Sequence, residues 1–242
     1  MDLDRITNPL RLAKGPHQPG TGAGCAMNVI SYINGDSKIT DYPACSARPL
    51  AAFVQSCNDL LAGPGGYLTP ENSIIALDLG WQTVGTAGVS RRVVHGWVAE
   101  LLTSPTWGLV RYARITTIKA IADIAELHRR VARGTMPSLT RWHTAYDIAM
   151  GEANAFVPAS NPAGFYALQA AHQSTELVAG RRVATLDAIT GSALRAHMLG
   201  TGIDSPIGYA HVTSEAIQSW RRLAGLPLPK RAGRHQLART SA

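Results

Sequence analysis

Apolar positions along this chain recur at three- and four-residue intervals in one segment after another, the period of helices facing a core. Ala26, Val29, Ile30 and Ile33 form such a stripe over 25–34, closed by Gly35 as a helix-ending glycine. The next stripe is Leu50, Phe53, Val54, Cys57, Leu60 and Leu61, on a helix starting near Ser46, with Pro49 tolerated in its first turn and Gly63 ending it. Thr69-Pro70-Glu71 supplies an N-cap, a first-turn proline and an acid, and predicts a helix that buries Ile74, Leu77, Trp81 and Val84. Ser90 caps another, with Val94, Trp97, Val98 and Leu101 inward and Pro105 stopping it. A longer helix is predicted over 112–133, with Ile115, Ile118, Ala122 and Ala125 inward and Gly134 beyond its end. The run Arg114–Ile118 is β-branched, yet helical spacing continues past it. Ser138 caps a short helix holding Trp142, Ala145, Tyr146 and Ala149.

The segment Val157–Gly164, VPASNPAG, is the clearest break, reading either as a boundary between two helical units or as a long loop within one. Helices are predicted beyond it over 165–179, 181–199 and 213–223. No hairpin signal or useful alternating run appears. The expected fold is all-α: a multi-helix globular bundle with an extended N-terminal arm and a flexible basic C-terminal tail. Its expected parts are the arm over 1–24, a helical core unit over 25–156, C-terminal helices packed on it over 165–224, and the tail over 225–242.

Composition narrows the class. Charged residues are 16% and apolar residues 45% of 242, which excludes a disordered polyampholyte. No apolar run approaches the roughly 18 residues of a membrane span, so no membrane partner is expected. Asp2 and Asp4 in an N-terminus without an apolar segment do not read as a secretory signal. Three cysteines make no disulfide framework, and the expected location is the reducing cytoplasm. Arginine outnumbers lysine 19 to 4 and alanine is abundant, the mark of a GC-rich genome.

The net charge of +7 is unevenly placed. Residues 1–90 carry 5 basic and 7 acidic side chains, 91–150 carry 9 and 4, 151–220 carry 3 and 5, and 221–242 carry 6 and none. Arg221, Arg222, Lys230, Arg231, Arg234 and Arg239 are therefore the candidates for holding phosphates without base specificity. A solvated terminus accounts for them as well, and they lack interleaved aromatics for stacking on single strands. Arg129, Arg130 and Arg133 end a predicted helix, where cations complement the dipole.

Cys25-x-Met27 opens the first helix, Asp41-x-Pro43-x-Cys45 forms a turn, and Ala51-Ala52-Phe53 leads a helix that ends in Asn58-Asp59. This arrangement resembles a pattern of uncharacterised proteins of actinobacteria and their phages. The resemblance covers residues 20–112, more weakly through Val84–Gly88 and Trp97–Tyr112. Cys57 departs from it, since the pattern more often has tryptophan there. The resemblance implies a helical fold and carries no activity.

Chemistry-bearing residues each have a structural alternative. Gly20-Thr-Gly22-Ala-Gly24 before a helix suggests an anion-binding loop, but lacks the preceding strand and the Lys-Ser/Thr pair of phosphate loops; a flexible arm explains it. Cys25 at a helix N-terminus has the position of a thiolate nucleophile, or is a small buried hydrophobe. Eight histidines offer bases without discriminating among them. Cys25, Cys45, Cys57 and His17 could ligate zinc, although no Cys-x-x-Cys knuckle is present. Asp41 caps a turn, and Asn58-Asp59 near a helix C-terminus suggests a polar network tying Asp41 to the second helix. No metal or cofactor is expected. The tryptophans read as core or subunit interface.

The leading expectation is a non-enzymatic helical protein acting through protein–protein contacts or self-assembly, as a homo-oligomer or with a protein partner. The alternatives are a nucleic-acid-binding protein using the tail and the Arg-rich region 111–142, and a cysteine-dependent enzyme built on Cys25.

Overall fold

Local signals set most helix ends. In the computed structural model, which describes residues 11–15, 22–155, 160–179, 182–201 and 205–228, the fold is all-α apart from two very short strands. Helix α1 (Ala26–Asn34) begins where the Asn28 side chain accepts from the Cys25 N–H at 2.9 Å. It ends at Gly35, whose φ of +78° turns the chain so that the amides of Gly35 and Asp36 meet the carbonyls of Tyr32 and Ser31. Helix α2 spans Arg48–Leu61 with Pro49 in its first turn. In α3 (Pro70–Gln82) the Thr69 hydroxyl accepts from the Asn72 amide at 3.2 Å, and α4 (Arg91–Thr103) stops before Pro105. A 3₁₀ turn (Leu109–Tyr112) leads to α5 (Ile115–Ala132), and Ser138 caps α6 (Leu139–Asn154), a full 16 residues long.

The break expected at 157–164 is partly a helix start. Residues 156–159 lie outside the described residues, but the Asn161 side chain accepts from the Gly164 amide at 2.9 Å and opens α7 (Pro162–Ser174). Helix α7 packs against α5 and α6. A 3₁₀ turn (Thr175–Ala179) takes over the end of the helix expected to reach 179, and α8 spans Arg182–Thr201. Helix α9 (Pro206–Leu223) starts well before residue 213, because Ser205 and Pro206 repeat the cap-and-proline device of Asn161 and Pro162.

The buried aromatic centre lies where α9 meets α2 and α4. Trp97 stands edge-on to Trp220 at 5.3 Å and to Phe53 at 6.2 Å. Its indole donates to the Ala216 carbonyl at 2.9 Å, and the Trp220 indole donates to the Thr86 carbonyl at 3.1 Å, so both rings are buried with their polar atoms satisfied. Of the expected arm, residues 11–13 are extended and anchored, and residues 14–15 bend. Arg11–Leu12 (β1) pairs in parallel with Ala23–Gly24 (β2), and Leu12 and Ala13 are buried.

Two expected faces are corrected. In α3, Ile74 is 69% and Trp81 57% exposed, while Ala76, Leu79 and Gly80 face inward. A Cβ on Gly80 would stand 3.2 Å from the Ile30 side chain, so α1 can approach only the small-residue side and the large residues take the outside. In α5, Ile115 is 90% and Ile118 40% exposed, and Ala122 is half-buried. The inward face is Thr117, Ile121, Ile124, Ala125, His128 and Val131. Apolar residues at both spacings give two overlapping stripes that share Ala125. The expected one runs into Arg129, whereas the observed one continues to Val131 and reaches the helix end.

Candidate functional site

The loop between α1 and α2 carries two carboxylates that gather the polar side chains around them. Asp41 lies above the N-terminus of α1, where the helix dipole favours an anion. Its Oδ1 accepts from the Cys25 thiol at 3.3 Å and from Asn28 Nδ2 at 2.9 Å, and its Oδ2 accepts from Gln55 Nε2 at 3.0 Å. Asp36 accepts from the Ser31 and Asn34 side chains and the Ala44 amide, and these bonds hold its carboxyl below the usual range. The network expected between Asp41 and the second helix is therefore made through Gln55. Asn58 and Asp59 serve another segment. Asn58 Oδ1 accepts from the Ala26 amide at 3.1 Å while its Nδ2 donates to the Ala13 carbonyl at 2.8 Å, and Asp59 accepts from the Gly15 amide at 3.0 Å. Together they fix residues 13–15 to α2.

This arrangement answers two sequence readings. Of the glycine segment 20–24, Ala23–Gly24 form strand β2 while Gly20 and Thr21 lie outside the described residues, and the amides of Cys25 and Ala26 behind it already bond to Asn28 and Asn58, with Asp41 as the local anion. A bound phosphate would meet that carboxylate. Cys25 is fully buried, and burial followed by the Asp41 charge pushes its thiol up to about 12. A protonated thiol donating to a carboxylate is the reverse of an activated nucleophile. Cys57 is also fully buried and pushed up to about 12 by burial. Cys45 is half-buried, and its carbonyl accepts from the Gly85 and Ala87 amides. Pro43 is buried, with its carbonyl accepting from the Ser46 amide. Among the described residues no group of three or more His, Cys, Asp or Glu side chains is arranged to hold a metal; His17 lies outside them.

The basic candidates divide. Arg221 donates to the carbonyls of Gln82, Val84 and Pro227 at 2.8–3.0 Å, closing the C-terminal end of α3. Arg222 makes a bidentate pair with Glu100 at 2.7 and 3.1 Å. These two are parts of the fold and not of a free tail, because α9 carries them onto neighbouring helices. Lys230, Arg231, Arg234 and Arg239 lie outside the described residues. In the 111–142 region, Arg129, Arg130 and Arg133 converge on Glu126, whose carboxyl is held low chiefly by the Arg133 hydrogen bond. Arg111 donates to the Thr106 carbonyl and Arg114 to Ser160. Much of that excess charge is thus engaged within the molecule.

A second polar cluster lies among α4, α5, α6 and α7, and residue-type reasoning missed it. His95 and His128 are both buried, with their Nδ1 atoms 2.8 Å apart. Arg91 Nε donates to His95 Nε2 at 3.3 Å, and His128 Nε2 lies 2.9 Å from the Ser174 hydroxyl, which donates to the Ala171 carbonyl at 2.6 Å. Trp142 stands edge-on to His128 at 4.9 Å. Burial, then the neighbouring His95, holds His128 well below the usual imidazole range. The available signal was a histidine on each apolar stripe, one beside Val94 and one between Ile124 and Val131. Beyond Trp142 a cleft of about 220 Å³ is lined by Leu139, His143, Tyr146, Thr175 and Val178. Elsewhere His197, in contact with Phe53 and with the Tyr112 hydroxyl 3.1 Å from its Nδ1, is lowered to about 3 by burial.

The class defined by these features is an all-α protein whose buried polar clusters bond among themselves. No family model, no curated protein and no solved structure matches the chain. Among the described residues no helix is long and apolar enough to cross a membrane.

Proposed function

We propose that this helical protein acts through protein–protein contacts, with the outer face of α3 as the contact surface and a second copy of the chain as its first partner. The observation carrying this reading is the pair Ile74 and Trp81, 69% and 57% exposed. Seven residues apart, they lie on one side of the helix about 10 Å from each other. On α1, which packs against α3, Tyr32 and Ile33 are also exposed, at 42% and 57%. Tryptophan with a large aliphatic neighbour is the usual anchor chemistry of an interface. Further support comes from the Asp41 and His95–His128 clusters, whose side chains bond to one another inside the fold. The kinship with actinobacterial and phage proteins belongs to the same proposal; of its motif residues, Cys25 and Asp41 bond to each other while Asn58 and Asp59 hold residues 13–15.

Sedimentation velocity over a concentration series reaching about 100 μM tests the reading. Concentration-dependent association is expected, and Ile74→Lys with Trp81→Lys should abolish it while the far-ultraviolet circular dichroism stays unchanged. A chain that stays monomeric throughout, or an association indifferent to both substitutions, would overturn self-association through this face.

A further inference from the structure

The outer face of α3 is acidic as well as apolar. Glu71, Ile74, Asp78 and Trp81 are all exposed and follow one another at three- and four-residue steps along one side of the helix. Ala76, Leu79 and Gly80 are buried on the other side. Asp78 lies between the two large side chains, and its Oδ2 accepts from Gln82 Nε2, one turn further on, at 2.7 Å.

The two ends of this stripe differ in charge. Glu71 belongs to the first turn of α3, where its own backbone amide and then the Thr69 side chain hold its carboxyl below the usual range. At the other end a guanidinium brought by α9 covers the last carbonyls: Arg221 donates through Nη1 to Gln82 and Val84 at 2.9 and 3.0 Å. The stripe therefore runs from an anion, past isoleucine, a central carboxylate and tryptophan, to a cation.

A second copy can lie on such a stripe in two ways that a two-fold axis permits. With the helices parallel, each residue meets its own copy. Trp81 then stacks on the partner's Trp81, Glu71 faces the partner's Glu71, Asp78 faces the partner's Asp78, and the helix dipoles run side by side in one direction. With the helices antiparallel and the axis between positions 77 and 78, position 74 faces position 81 of the other copy and position 71 faces position 84. Ile74 then packs on the partner's Trp81 on both sides of the axis, and Glu71 comes to the end of the partner helix that Arg221 covers. Only Asp78 still meets its own copy. The parallel pair has two like-charge contacts and no opposite-charge contact, whereas the antiparallel pair has one of the first kind and two of the second.

We propose, resting on the reading that the α3 face self-associates, that two copies pair antiparallel about an axis between Leu77 and Asp78, with Ile74 against the partner's Trp81 and Glu71 beside the partner's Arg221. The end charges set the direction of the pair, since reversing one helix turns two attractions into repulsions. The two Asp78 carboxylates at the axis weaken it, because like charges close together on a shared surface oppose association.

Two measurements on the full chain test the arrangement. The first is the dimer dissociation constant from sedimentation, taken at about 50 mM salt so that exposed charges are little screened. Glu71→Gln removes an attraction from the antiparallel pair but a repulsion from a parallel one, so the two arrangements give opposite signs. The constant should rise about threefold for Glu71→Gln and fall about threefold for Asp78→Asn. The second measurement is oxidative cross-linking, with the unaltered chain as the control for its own cysteines. Asp78→Cys should form a covalent dimer, because the axis brings the two positions within disulfide reach. Glu71→Cys should not exceed the control, since 13 residues of register put its two copies about 20 Å apart.

Tighter or unchanged association in Glu71→Gln, covalent dimers of Glu71→Cys, or Asp78→Cys no more cross-linked than the control would each overturn the antiparallel pair. Those outcomes leave self-association through α3 standing as long as Ile74→Lys with Trp81→Lys still abolishes it. An unaltered chain that stays monomeric defeats that reading, and this arrangement with it.

Discussion

Asp41 illustrates what a single residue discloses. Its place in Asp-x-Pro marks a turn, and a carboxylate near the first helix N-terminus is expected to find donors there. Its bond to Gln55 follows from no spacing rule, because it depends on how the loop folds back over α2. Cys25 was ambiguous for the same reason: its position favours a thiolate, and only the fold reveals that Asp41 and complete burial protect the thiol form. Replacing Asp41 by Ala leaves Asn28 Nδ2, Gln55 Nε2 and the thiol without their acceptor, and should cost about 1–3 kcal/mol in urea unfolding. A midpoint unchanged at equal slope would contradict this role. Iodoacetamide provides a parallel check in the folded protein. Half-buried Cys45 should label first, with fully buried Cys25 and Cys57 following only on unfolding. Because burial is the leading cause of the raised Cys25 value, Asp41→Ala should not make Cys25 the fastest. Labelling of Cys25 ahead of Cys45 in the native chain would restore the nucleophile reading.

At the scale of elements, ends were legible and faces less so. Thr69, Ser138 and Gly35 act where the sequence placed them, because capping is local chemistry. The starts of α7 and α9 were read late although Asn161-Pro162 and Ser205-Pro206 carry the same signature. Helix faces depend on partners. Helix α3 has large apolar residues on more than one side, so periodicity selected Ile74 and Trp81 while close approach to Ile30 selected Gly80. The two histidine positions were visible on their stripes, but the contact joining α4 to α5 across 33 residues was not. Adjacent positions on α3 now separate the two assignments. Gly80→Leu must force α1 away and should lose more than about 1 kcal/mol. Trp81→Ala, one residue on, should change monomer stability by less than about 0.5 kcal/mol, since the ring is mostly in solvent. Chemical denaturation of both variants at low protein concentration measures the difference. A larger loss at Trp81 than at Gly80 would restore the face expected from periodicity.

For the whole molecule, the charge of +7 is a matter of where it sits. Through residue 220 the chain carries 17 basic and 16 acidic side chains, so its helical body is close to neutral. The structure narrows the remainder further, because Arg221 closes the end of α3 and Arg222 pairs with Glu100; the other basic candidates, Lys230, Arg231, Arg234 and Arg239, lie outside the described residues. Arg129, Arg130 and Arg133 share the one carboxylate of Glu126, which engages part of their charge within the fold. Retention on heparin or binding to duplex DNA should therefore depend on the tail. Four cations neutralising phosphates predict a slope of log affinity against log salt of about −3 to −4. Deleting 229–242 should bring that slope close to zero, while Arg129→Gln with Arg133→Gln should leave it nearly unchanged. A slope that survives the deletion would place polyanion binding on the helical body, where residues 91–150, with 9 basic against 4 acidic side chains, would be the first surface to test.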